Sequence, residues 1–202
     1  NDGAINPLKF GQTYYGSLKD NGNGDVKFYS FKATKTGYIS VDFKNSTGAP
    51  NAAWDYAIFT SKPNANLNNY YDVYTFPLNK TRHQPARLGV KKGKNLWIAV
   101  AGRGYIAGGT TYSLKVTNKA AKNWEIDTQN NVPKGATAVK MGQKAYGAFG
   151  NTSSKNKSGV YSGGASRDWY KITVPSSGSY RLVFANDKTA KGNAYMSIVK
   201  SL

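Results

Sequence analysis

Apolar and polar residues alternate with a period of two in short blocks: Phe10 to Leu18, Val26 to Phe31, Tyr38 to Phe43, Trp54 to Phe59, Leu96 to Val100 and Tyr112 to Val116. Phe28 breaks the strict alternation of the second block. Tyr, Val, Ile, Phe and Thr dominate the blocks, the residue types that suit a pleated, half-buried surface. Turn clusters separate them, among them Asp20-Asn21-Gly22-Asn23-Gly24, Lys35-Thr36-Gly37 and Lys91-Lys92-Gly93-Lys94. No stretch keeps a helical period over three turns with caps. Short strands at this spacing predict an all-β protein, a sandwich or a barrel.

The pattern also recurs along the chain. Lys9-Phe10-Gly11-Gln12-Thr13-Tyr14-Tyr15-Gly16 matches Lys140-Met141-Gly142-Gln143-Lys144-Ala145-Tyr146-Gly147 at an offset of 131. Phe28-Tyr29-Ser30-Phe31 matches Trp169-Tyr170-Lys171-Ile172, and Gly37 to Asn45 matches Gly178 to Asn186, both at 141. About ten extra residues therefore enter between Gly147 and Asp168, in a Ser/Gly/Lys-rich stretch that suits a surface loop. Ordered matches of this kind imply two copies of one β unit. The expectation is two antiparallel β-sandwich units in tandem, 1–118 and 119–202, meeting at the small basic linker Asn118-Lys119-Ala120-Ala121-Lys122. The second is expected to be incomplete, because it holds no counterpart of Leu96 to Val100 or Tyr112 to Val116. A longer repeat array, a strand from another molecule, or closure on the first unit would complete it. An assembly contact with another copy is expected at the edge near Tyr195 to Val199.

Composition narrows the chemistry. The 202 residues carry 28 Lys+Arg against 10 Asp+Glu, a net charge of +18. Residues 1–118 hold 15 basic and 6 acidic side chains and residues 119–202 hold 13 and 4, so the charge belongs to both units and is not a tail. No run of about 18 apolar residues predicts a membrane span. No basic-then-apolar leader opens the chain, so an exported protein would be represented here by its mature form. Cysteine is absent, which removes disulfides, thiolate zinc sites and a thiol nucleophile. The single histidine, His83, excludes a multi-His metal centre within one chain. Any Ser-His-Asp triad would have to use it, in the basic stretch Lys80 to Pro85. There is no Gly-x-Ser-x-Gly elbow and no phosphate-binding Gly-x-x-x-x-Gly-Lys loop. A non-catalytic protein is expected.

The segment Asn123-Trp124-Glu125-Ile126-Asp127-Thr128-Gln129-Asn130-Asn131, followed by Ala136-Thr137-Ala138, Gly142, Tyr146-Gly147 and Asp168-Trp169-Tyr170, resembles the opening of a bacterial pre-peptidase C-terminal domain. Asn1-Asp2 through Gly16, Tyr29-Ser30-Phe31 and Gly37-Tyr38 are similar, and Lys92 to Val100 and Tyr112 to Val116 resemble that family's last two strands. The resemblance spans nearly all of the first unit and about two thirds of the second. It implies a secreted or surface-layer-type β-sandwich accessory domain, of a kind that binds collagen or polysaccharide in some members and calcium near the opening acidic segment in others.

Three candidate sites follow. Glu125, Asp127, Asn130 and Asn131 offer hard oxygens within seven residues, Asp168 can join them, and those positions match the family's acidic-Asn opening. They are either a calcium site of the second unit or an ordinary turn whose Asn and Asp cap the backbone. Lys27 stands where Asp168 stands in the repeat, so the first unit lacks the ligands. Tyr70, Tyr71 and Tyr74 lie in the tyrosine-dense stretch Asn68 to Phe76 and either stack on a ligand or belong to an additional hairpin. Lys91, Lys92, Lys94, Arg82 and Arg87 form the candidate polyanion-binding set.

Nucleic acid is disfavoured, because no RNA-recognition, OB or zinc-finger signature is present. The resemblance places the chain outside a bacterial cell, where teichoic acids and other phosphate-bearing wall polymers are the abundant polyanions. Richness in Lys, Asn, Thr, Tyr and Gly without Cys matches basic S-layer and wall proteins of Gram-positive bacteria in bulk. The leading expectation is a secreted or cell-surface module, adhesive or wall-associated, that binds anionic cell-wall glycopolymer. The alternative is a collagen- or polysaccharide-binding accessory domain of a larger secreted hydrolase. A hydrolase using His83 is the third.

Overall fold

In residues 5–120 the alternating blocks become strands of two stacked sheets. The computed structural model describes residues 5–17, 26–45, 53–63, 72–77, 86–103, 111–126, 132–148, 168–185 and 196–199. The strands are β1 (Ile5–Pro7), β2 (Thr13–Ser17), β3 (Val26–Lys32), β4 (Gly37–Asn45), β5 (Ala53–Phe59), β6 (Asp72–Pro77), β7 (Ala86–Val90), β8 (Asn95–Arg103) and β9 (Thr111–Ala120). One sheet has the order β1-β3-β8-β5-β6 and the other β2-β9-β4-β7. Strands β10 (Thr137–Val139) and β11 (Tyr170–Ile172) form a separate pair.

The period-two pattern decides what lies between the sheets. On β9, Tyr112, Leu114, Val116 and Asn118 point inward while the residues between them stay partly exposed. Ile39, Val41 and Phe43 of β4 do the same, and Leu96, Ile98 and Val100 of β8 meet them from the other sheet. Each such side chain contributes about 1.5–3 kcal/mol by leaving water. The two inner faces together make one core, as in an all-β sandwich. Phe43 stacks on Tyr112 at 5.4 Å and tilts against Tyr56 at 5.5 Å. The Tyr29 and Tyr112 hydroxyls meet at 2.7 Å across the two sheets, which satisfies both inside the core. Burial pushes the Tyr29 phenol up, and the bond to Tyr112 partly offsets it.

Most strand pairs are antiparallel, but β1–β3 and β10–β11 are parallel. The expected all-β fold with antiparallel sheets is what the chain forms, and these two pairs are local departures from it. Between β1 and β3 the chain crosses to the other sheet as β2, so it returns in its original direction. The two parallel pairs share their register under the sequence repeat. Asn6 faces Tyr29, and Thr137 faces Tyr170, at the offsets 131 and 141 read from the matches. The following turn is shared as well: Gly11 and Gly142 have φ of 81° and 74°, a region that favours glycine. Gln12 N–H donates to Lys9 O at 3.3 Å, and Gln143 N–H to Lys140 O at 3.1 Å.

The likeness of the halves stops after β11. Residues 178–184, expected as a strand from their match with β4, lie in no strand, and Phe184 is half exposed where Phe43 is buried. β4 owes its conformation to β7 and β9 on its two sides; among the described residues after 120, no strand flanks 178–184. β9 runs through Asn118 and Lys119 to Ala120.

Candidate functional site

The last strand of the sandwich leads directly into the acidic segment. Trp124 packs on Tyr38 of β4 with ring centroids 4.6 Å apart, and Arg87 of β7 lies 5.8 Å over the other partner of that pair, Tyr38. This anchoring carries Glu125 into a closed space. Its backbone approaches Gly89 of β7 so closely that a Cβ there would collide with the Glu125 carbonyl. Glu125 N–H donates to Tyr146 O at 2.9 Å, and Tyr146 N–H donates to Asn123 O at 2.9 Å. The side chain is fully buried. Oε1 accepts the Ala148 N–H at 2.6 Å, and Oε2 accepts the Tyr170 hydroxyl in a short bond. The carboxylate fills the position that a Cβ on Gly147 would take.

The repeat makes sense of that pocket. Gly147 matches Gly16, and Tyr170 matches Tyr29. A Cβ on Gly16 would meet the Tyr112 hydroxyl at 2.5 Å, and that hydroxyl is bonded to Tyr29. The Glu125 carboxylate thus occupies, beside Gly147 and Tyr170, the place that the Tyr112 hydroxyl occupies beside Gly16 and Tyr29.

Asp168 stands nearby, two residues before Tyr170. Its Oδ1 is buried and has no hydrogen-bond donor among the described residues. Burial, and then the negative charge of Glu125, push its carboxyl up to about 7. The Asp168 Oδ1, buried without a donor among the described residues and feeling the charge of Glu125, is an oxygen that a hard cation would stabilise. The described residues bring together Glu125 and Asp168 of the acidic set; Asp127, Asn130 and Asn131 lie outside the described residues. Among the described residues no group of three or more His, Cys, Asp or Glu side chains could hold a metal ion.

Of the basic set, Lys91, Lys92, Lys94 and Arg87 are exposed, and Arg82 lies outside the described residues. The lysines ride on the tight turn between β7 and β8, where Gly93 has φ of 88°. Tyr70 and Tyr71 lie outside the described residues, as does His83. Tyr74 is in β6, with its backbone in register with Tyr56, so part of the tyrosine stretch belongs to a strand. The contributions of Tyr170, Gly147 and Ala148 escaped sequence reasoning, although the Gly16–Gly147 match already marked a position without room for a side chain.

No protein-family model matches the chain, and no curated protein matches it. Among solved structures it is similar to the pre-peptidase C-terminal domain of collagenase from Bacillus anthracis, at 22% identity and a TM-score of 0.41, over 58% of this chain and 98% of that one. It is also similar to PliG, a periplasmic lysozyme inhibitor of g-type lysozyme. The Aeromonas hydrophila protein is 15% identical, with a TM-score of 0.37, over 56% of this chain and 94% of that one. For the Salmonella Typhimurium protein the identity is 16% and the TM-score 0.31, over 58% of this chain and all of that one.

Proposed function

We propose that this protein is a non-catalytic extracellular module that binds anionic cell-wall glycopolymer through its basic surface, on the outside of a Gram-positive bacterium. The observation that carries the reading is a net charge of +18 on a β-rich chain whose described Arg87, Lys91, Lys92 and Lys94 are all exposed. Exposed charge of one sign draws in a polyanion over a Debye length of about 8 Å at physiological salt. Among the described residues no helix is long and apolar enough to cross a membrane.

The junction of the halves adds a calcium-dependent element to the proposal. Asp168, with Glu125 beside it, would hold the ion, and Asp127, Asn130 and Asn131 would supply further oxygens. The orphaned Asp168 Oδ1 supports this assignment. Calcium there would neutralise the two carboxylates and brace the second half against the first.

The test is a pull-down of the intact chain on purified cell walls with and without their teichoic acid. Retention that disappears with the polymer supports the reading. Equal retention on both walls overturns it. Capture by collagen that survives moderate salt and requires calcium would point instead to an accessory matrix-binding domain.

A further inference from the structure

The fold gathers lysines that the sequence scatters. The connection after β3 (residues 32–37), the turn between β7 and β8 (91–95) and the exit from β9 (117–123) converge at one end of the sandwich. Their backbones are bonded to one another. Ala33 N–H donates to Lys94 O at 2.8 Å, and Gly93 N–H donates to Ala33 O at 2.7 Å. Lys92 N–H donates to Thr36 Oγ1 at 3.0 Å, and Ala121 N–H to Thr36 O at 3.3 Å. The buried Asn118 fastens the first and third segments. Its Oδ1 accepts Thr34 N–H at 2.9 Å and Lys35 N–H at 2.8 Å, and its Nδ2 donates to Lys35 O and Tyr38 O, both at 3.2 Å.

These segments carry Lys32 and Lys35, then Lys91, Lys92 and Lys94, then Lys119 and Lys122, all exposed. They contain no Asp or Glu, and the next acid along the chain, Glu125, is fully buried. Among the described residues none of the seven is paired with a carboxylate. Stacked sheets lie about 10 Å apart, close to one screening length at physiological salt, so the seven charges act together. Such a pole repels itself and is relieved by a bound anion.

We infer that this pole is the binding site for a linear phosphodiester polymer, an inference that rests on the function proposed above and locates it. The chemistry of the three segments favours that class. They hold no arginine, whose planar fork grips carboxylate or phosphate bidentately, and seven ammonium groups, which engage phosphates as point charges. They also hold no aromatic ring on which a base could stack, and the neighbouring Tyr38 and Trp124 are packed on each other. The pole therefore reads spaced negative charge and not bases, and comparison with polyglutamate is what separates the phosphodiester class.

The experiment compares three forms of the full chain against poly(glycerol phosphate), with affinity measured at 50 and 150 mM salt. One variant combines Lys35→Gln, Lys92→Gln, Lys94→Gln and Lys119→Gln. The control combines Lys134→Gln, Lys140→Gln, Lys144→Gln and Lys171→Gln, an equal loss of charge in the second half. The pole variant is expected to bind at least 10-fold more weakly, with a salt slope shallower by about 2–3, while the control loses less than threefold. Its unliganded melting temperature is expected to be no lower than the parent's, because like charges have been removed. Equal losses in both variants would overturn the pole and leave the electrostatic function standing. No binding by the unmodified chain would overturn both. Equal affinity for polyglutamate, lost in the same variant, would overturn the phosphodiester assignment.

Discussion

A single buried amide holds one end of the sandwich in shape. Asn118 satisfies backbone groups of Thr34, Lys35 and Tyr38 that would otherwise be stranded against β9. Asn118→Ala leaves several of them without partners, and the expected loss is about 2–3 kcal/mol, read from urea unfolding. At the other notable residue, the sign of a pH effect follows from Asp168. Its carboxyl sits at about 7 when folded against an ordinary 3.8, chiefly through burial and then through Glu125. A raised folded value means that this group favours the folded state fully below about pH 4, and that the contribution is lost as pH rises through about 7. Without added cation, the urea midpoint is therefore expected to be higher at pH 5.5 than at pH 8.5, with the difference reduced in Asp168→Asn. A midpoint that rises over that interval by the same amount in both proteins would show that Asp168 is not the responsible group. Glu125→Gln keeps the size of the side chain but removes its charge, so a carbon-detected NMR titration should find the Asp168 carboxyl closer to its usual range. Calcium, if it binds, competes with the proton on Asp168, so its affinity should rise with pH across 7.

At the scale of strands, period-two alternation was a reliable guide where both neighbours exist. The blocks beginning at Val26, Tyr38, Trp54, Leu96 and Tyr112 correspond to β3, β4, β5, β8 and β9. Three strands of residues 5–120 escaped it. β1 is only Ile5–Pro7, too short to show a period, and it contains a proline. β6 and β7 lie at the edges of their sheets, and β7 carries Arg87 and Gly89 among its five residues. Phe10 was read as the start of a strand, whereas Phe10 and Gly11 form a turn before β2. The sequence matches at offsets 131 and 141 fall on two parallel pairs, β1–β3 and β10–β11, in equivalent register. The repeat misled at 178–184, where the sequence keeps the alternation of β4 but no strand among the described residues flanks it. Of the acidic set, spacing and the family resemblance marked Glu125 and Asp168 as oxygen donors, but not that the Glu125 carboxylate fits beside Gly147 and Tyr170. Replacing Gly147 by Ala drives a methyl group into that carboxylate. Gly147→Ala is expected to release the second half, seen as faster amide exchange at Ala148 and Tyr170 with β3, β4, β8 and β9 unchanged. Loss of protection across the whole sandwich would contradict that division.

For the molecule as a whole, two surface properties stand out, one apolar and one charged. Val183, Phe184 and Ile198 are exposed at 71%, 49% and 80%, apolar side chains that contact with another copy would cover. Self-association is therefore expected at micromolar concentrations, and the combination Val183→Lys with Ile198→Lys should return the mass found by light scattering to that of one chain. Seven exposed lysines meet at one end of the sandwich. Only the turn lysines of that pole were visible in sequence, since Lys32, Lys35, Lys119 and Lys122 join them through strand pairing. The most direct test of the whole account is the affinity of the intact chain for isolated anionic wall polymer as a function of salt. The account predicts affinity that falls steeply between 50 and 200 mM salt, linear in a plot of log affinity against log salt. Tight binding that is indifferent to salt across that range would contradict it.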